Sequence, residues 1–193
     1  MNISSTLEIL LYSSFIVWIF PAIRQYRGRF FFIFFVLAVG DPIAFISVVV
    51  FNFNLGPTVP LLVSYIVAII VLYKLSEKKP SKLSFIFCTI VLISPLFSSN
   101  YKFYYIAIVI LIIFVFYNVL IFFIKKNIDE KAVNLFYIAF LLYELLNIFK
   151  ISNLLIGITN AWEYHILTSI FQVALGFYFS IFREDSPRNF IKL

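Results

Sequence analysis

Residues 31–51, FFIFFVLAVGDPIAFISVVVF, form an apolar run with one carboxylate, Asp41, at its middle and Pro42 directly after it. A bilayer hydrocarbon core about 30 Å thick needs roughly 20 apolar residues of helix to cross it. An ionised side chain at that depth costs about 2.5 kcal/mol or more on insertion scales. Asp41 therefore requires a partner, water, a ligand or a proton. Pro42 frees a carbonyl one turn earlier in the helix. A protonated Asp41 bonded to such a group is the plain reading, and a ligand- or proton-binding Asp41 is the functional one.

The rest of the chain fits the same solvent. Of its 193 residues 63% are hydrophobic and only 12% charged, with a mean hydropathy of +1.05. Soluble domains carry about 25% charged residues, so the expectation is an all-α integral membrane protein. A closed barrel would alternate apolar and polar residues, and these runs do not. Residues 1–183 read as a single polytopic membrane domain and 184–193 as a short cytoplasmic tail. Cys88 is alone inside an apolar run, so no internal disulfide or cysteine metal site is expected. The first run is read as a retained helix, since MNISSTLE lacks the positive residues of a signal peptide.

Seven apolar runs are expected as transmembrane helices, at about 7–23, 30–51, 57–75, 83–97, 103–124, 132–149 and 164–182. The fourth is short and contains Ser94-Pro95, which predicts a kink, tilt or partial re-entry. Basic residues gather in alternate turns. Arg24, Arg27 and Arg29 follow the first run, Lys74, Lys78, Lys79 and Lys82 the third, and Lys125, Lys126 and Lys131 the fifth. Arg183, Arg188 and Lys192 follow the seventh, which leaves only Lys102 and Lys150 for the other side. Positive residues mark the cytoplasmic face. The N-terminus is thus expected outside and the C-terminus inside, as in a multi-pass protein of a bacterial cytoplasmic membrane. The net charge of +6 is accounted for by these turns, and no nucleic-acid partner is implied. The stretch KISNLLIGITNAWE, from Lys150 to Glu163, reads as the longest outer link. Its Leu154, Leu155, Ile156 and Trp162 would lie on the headgroup layer.

Two of the nine acids, Asp41 and Glu144, lie well inside apolar runs, with no Lys or Arg expected at their depth. Further polar residues gather near them. Asn134, Tyr137 and Glu144 share one side of the sixth helix. On the seventh, His165, Ser169, Gln172, Gly176 and Ser180 recur at steps of three and four, a stripe that faces other helices. Packing accounts for the small members, whereas the Gln172 amide needs several partners at mid-depth. His165 is read either as an interfacial histidine or as a proton-accepting, ligand-facing one. Tyr143 and Tyr164 are candidates for the wall of an outward cavity.

These residues point to a ligand- or proton-binding set of Asp41, Glu144, His165 and Gln172, lined by Asn134, Tyr137, Tyr143, Tyr164 and Ser169. No catalytic motif, metal site or cofactor is implied. Pairing the first three helices with the last three around the fourth gives a three-plus-one-plus-three arrangement, with one acid on helix two and one on helix six. That arrangement resembles the SWEET and PQ-loop transporters, whose repeats run parallel. Their proline-glutamine motif is absent here, since Ala22 follows Pro21. The layout also resembles receptor-type seven-helix proteins and the membrane regions of bacterial sensor kinases. A retinal protein is disfavoured because the seventh run has no lysine. The expectation is a non-enzymatic small-ligand or proton-linked transporter or receptor-like module. A non-catalytic subunit of a larger membrane complex and a membrane-embedded enzyme using the two carboxylates are the alternatives. Partners expected are the lipid bilayer and a partner membrane protein or separate output protein.

Overall fold

Each apolar run folds as an α-helix, the conformation in which a long apolar segment pairs its own backbone N–H and C=O groups. The helices are α1 (Ile3–Arg24), α2 (Phe31–Val49), α3 (Thr58–Lys74), α4 (Lys82–Ile93), α5 (Lys102–Glu130), α6 (Leu135–Ile156) and α7 (Ala161–Ile181). They come from a computed structural model, which describes residues 3–50, 56–75, 81–98, 100–157 and 161–192. The side chains of 3–12, 15, 48, 49, 161, 162 and 165 lie outside that description. Among the described residues two helices, α5 and α6, are long and apolar enough to cross a membrane. The apolar helical stretches Phe31–Ser47, Thr58–Lys74, Lys82–Phe97 and Ile166–Ile181 are shorter.

Six helices close a ring. α1 packs on α2 and α7, α2 on α3, α3 on α5, α5 on α6, and α6 on α7. α4 packs on α3 and α5 from outside the ring, and its last turn tightens into a 3₁₀ helix at Ser94–Phe97, where Pro95 falls. The triplets α1–α2–α3 and α5–α6–α7 therefore run in the same sense round the ring, with α2 opposite α6. Close approach at two seams depends on glycine. A Cβ on Gly40 would meet Val63 of α3 at 2.6 Å, and one on Gly176 would meet Val17 of α1 at 2.7 Å.

Two boundaries differ from expectation. α6 begins after Asn134, which caps it by accepting the Phe136 N–H at 2.9 Å. It then runs on to Ile156 and stops at Gly157, whose φ of 72° is left-handed. Leu154, Leu155 and Ile156 are thus the last turn of a helix rather than a segment on the headgroup layer, and Lys150 lies inside α6. The side chain of Trp162 is outside the described residues. Before α6, β1 (Ala132–Asn134) pairs antiparallel with β2 (Phe190–Lys192), so the C-terminal segment is docked.

The ends of the ring that carry the basic turns are tightly closed. Gln25, fully buried, donates from Nε2 to the Phe182 carbonyl at 2.9 Å and accepts the Glu184 N–H at 3.4 Å. Asn134 Nδ2 donates to the Glu184 carbonyl at 2.9 Å, and the Arg29 N–H donates to the Glu184 carboxylate at 3.3 Å. Above this latch sits an aromatic floor of Phe30, Phe34, Phe136, Tyr137, Phe140 and Phe179, all fully buried. Its rings meet edge-on or tilted, with centroids 4.9 Å apart for Phe34–Phe179 and 5.1 Å for Phe30–Phe140, geometry that aromatic quadrupoles favour.

Candidate functional site

Above the aromatic floor the ring encloses a cavity of about 330 Å³, lined by six helices. α2 contributes Leu37, Gly40, Asp41 and Ala44, a spacing of three and four that gives one helical face. α6 contributes Tyr143, Glu144, Asn147, Lys150, Ile151 and Leu154, again one face, now including a base. α3 and α5 supply a mainly apolar wall, including Val63, Ile108 and Ile112, while α7 supplies Ser169 and Gln172. Ser14 and Trp18 of α1 complete the lining, and Trp18 joins cavity to floor with its ring 4.8 Å from that of Tyr143. The lining runs from mid-helix, at Trp18, Gly40, Glu144 and Gln172, to the ends of α3, α5 and α6 that carry Val59, Tyr105 and Leu154. The cavity thus extends from the middle of the ring towards the ends remote from the basic turns.

Asp41 is exposed, yet α2's other outward residues, Phe32, Phe35, Ile43 and Ile46, are on different faces. Its exposure is to the cavity. Glu144 is 4% exposed and, among the described residues, makes no hydrogen bond or ion pair. The expectation that neither acid has a basic companion is overturned. Lys150, one face with Glu144 and Asn147 at steps of three, enters the same cavity. Its ammonium donates to Ser169 Oγ at 3.3 Å and to Gln172 Oε1 at 3.2 Å. Gln172 Nε2 in turn donates to Asn147 Oδ1 at 2.6 Å. The charge that acts on Asp41 is Lys150, across the cavity and outside ion-pair contact.

Five of the expected residues, Asp41, Tyr143, Glu144, Ser169 and Gln172, therefore meet in one place. Asn134 and Tyr137 do not: they lie at the opposite end of α6. Asn134 belongs to the latch, and Tyr137 to the aromatic floor, where the Lys126 ammonium lies 5.1 Å from its ring centroid. Tyr164 is half-buried on α7 but lies outside the cavity lining, and its carbonyl accepts the Thr168 hydroxyl at 2.9 Å. The His165 side chain is outside the described residues. Lys150 and Asn147 are the residues sequence reasoning missed. The signal was present as the three-residue steps Glu144, Asn147, Lys150 on one helix face.

The arrangement offers two carboxylates, one ammonium and two amides around a space large enough for a small molecule. Among the described residues no three metal-ligating side chains converge. Comparison with protein-family models, with curated proteins and with solved structures finds no match in any of the three.

Proposed function

We propose that the protein is a seven-helix membrane protein that binds a small ligand in an outward-facing cavity, as a transporter or a receptor-like module. One observation carries the reading: Asp41 and Glu144, on opposite helices of the ring, face a single cavity that runs from mid-helix towards the ends away from the basic turns. Positive turns mark the cytoplasmic side, so the cavity runs outward from mid-depth. The latch and aromatic floor seal the inward half. The multi-pass reading is supported by what the helices turn outward. In the most apolar windows of α5 and α6 only 39% of residues are buried, and exposed groups such as Phe32, Leu83 and Leu96 suit lipid. Burying acids on the inward face of a bundle is the pattern of a substrate or proton path.

Thiol labelling tests the direction of opening. In a Cys88→Ala background, Ser64→Cys on the cavity wall is expected to react from outside with a membrane-impermeant cationic methanethiosulfonate. Its rate should be at least about tenfold above that of Ala139→Cys, which lies in buried packing. Labelling of Ser64→Cys only from the cytoplasmic side, or at the rate of Ala139→Cys, contradicts the outward cavity.

A further inference from the structure

We propose that the cavity takes a small organic monocation, a protonated amine with an apolar body; this rests on the outward-cavity reading. Lys150 is the cavity's one cation among the described residues, and two of its three N–H donors are already used on Ser169 and Gln172. Gln172 spends an N–H on Asn147. The acids are in the opposite condition. Asp41 faces open space, and Glu144, nine-tenths buried on the cavity wall, has no hydrogen-bond or ion-pair partner among the described residues. The cavity thus holds two carboxylates with no hydrogen-bond partner among the described residues, beside a lysine with two of its three donors in use, and its formal charges, two negative and one positive, leave one negative in excess.

An ammonium meets both needs at once, since it brings one positive charge and up to three donors. A carboxylate ligand would meet two acids and would find one unused Lys150 N–H to receive it. A bare divalent ion would require more oxygen ligands than Asp41 and Glu144 provide. The remaining walls fit the rest of such a molecule. Trp18, Tyr105 and Tyr143 are among the lining, and aromatic rings attract cations. Val63 and Ile112 of the facing wall offer an apolar surface for the body. The volume of about 330 Å³ falls in the range of small-molecule sites, roughly 300–1,000 Å³.

The test uses the full chain in lipid nanodiscs, with butylammonium chloride, sodium butanoate and butanol as probes followed by calorimetry. Butylammonium is expected to bind, and the other two not. Asp41→Asn and Glu144→Gln should each weaken binding by at least about tenfold, consistent with losing one partner of a buried charge pair. Partition of the probe into lipid is the same for every variant, so the difference reports the site. A second measurement needs no acid variant: butylammonium should slow labelling of Ser64→Cys in the Cys88→Ala background. Butanoate binding that is lost in Lys150→Met would overturn the cation assignment. So would labelling of Ser64→Cys from outside that butylammonium leaves unchanged; in both cases the cavity reading stands. Absence of outside labelling would remove the cavity reading and this inference with it.

Discussion

Lys150→Met is expected to destabilise the protein by about 3 kcal/mol, a fall of roughly 6–12 °C in Tm for a chain of this size. Methionine keeps the stem of the lysine but removes the ammonium. Two charge-assisted hydrogen bonds, to Ser169 and Gln172, are lost, and the Gln172 carbonyl oxygen is left without its donor between α6 and α7. Asp41 also loses the charge that acts on it across the cavity. The double variant Lys150→Met, Asp41→Asn is therefore expected to recover about 1 kcal/mol of the loss, since the second change removes the acid left without a counter-charge. Thermal unfolding of the four proteins of this cycle provides the check. Strictly additive effects of the two substitutions would show that Lys150 and Asp41 do not act on one another.

Gln25→Leu should open the other end of the ring. Its amide is the only side chain described that bridges α1 to both the Phe182 carbonyl and the Glu184 N–H. Leucine fills the space but leaves both groups unpaired in a buried place, which costs about 2–4 kcal/mol. Glu184 adds a pH dependence to the same latch. Burial pushes its carboxyl above the usual glutamate range, against the lowering effects of the Arg29 N–H and of the Arg29 and Lys126 charges. One carboxylate oxygen accepts the Arg29 N–H, and the other has no partner. The folded state accordingly holds this proton more tightly than the unfolded chain. Its contribution to stability is full below the ordinary glutamate value of about 4.3 and is lost as pH rises through the folded-state value. Glu184→Gln should flatten that part of the pH–stability curve while the Arg29 contact is kept. An unchanged curve would show that Glu184 is not the group responsible.

Much of the helical layout could be read from residue pattern alone. Each of the seven apolar runs corresponds to an α-helix, because a long apolar run without alternation has one way to satisfy its backbone. Asp41, Glu144 and Gln172 stood out since polar groups inside such runs are costly. The errors share a cause in tertiary contacts. In the sequence Lys150 reads as the start of a turn, because a charge after an apolar run looks like the end of a span. Ser169 and Gln172 of α7 hold that charge inside, and a distant helix leaves no mark on the local pattern. Helical periodicity puts Asn134 on the face of Glu144 only if the helix continues through it, and Asn134 is the helix cap. Periodicity identifies a face only within the helix, and the cap's partner, Glu184, comes from fifty residues away. The lining supplied by α1, α3 and α5 had no distinguishing residues at all. Its place around the cavity follows from the order in which the helices close the ring.

The most direct test is an experimental structure of the protein in nanodiscs, at a resolution that shows ordered water. Density for water or a bound small molecule is expected between Asp41, Glu144 and Lys150, in a space open on the side away from Arg24, Arg27 and Arg29. A dry, collapsed centre, with Glu144 bonded to a neighbouring side chain and Asp41 in direct contact with Lys150, would contradict the account.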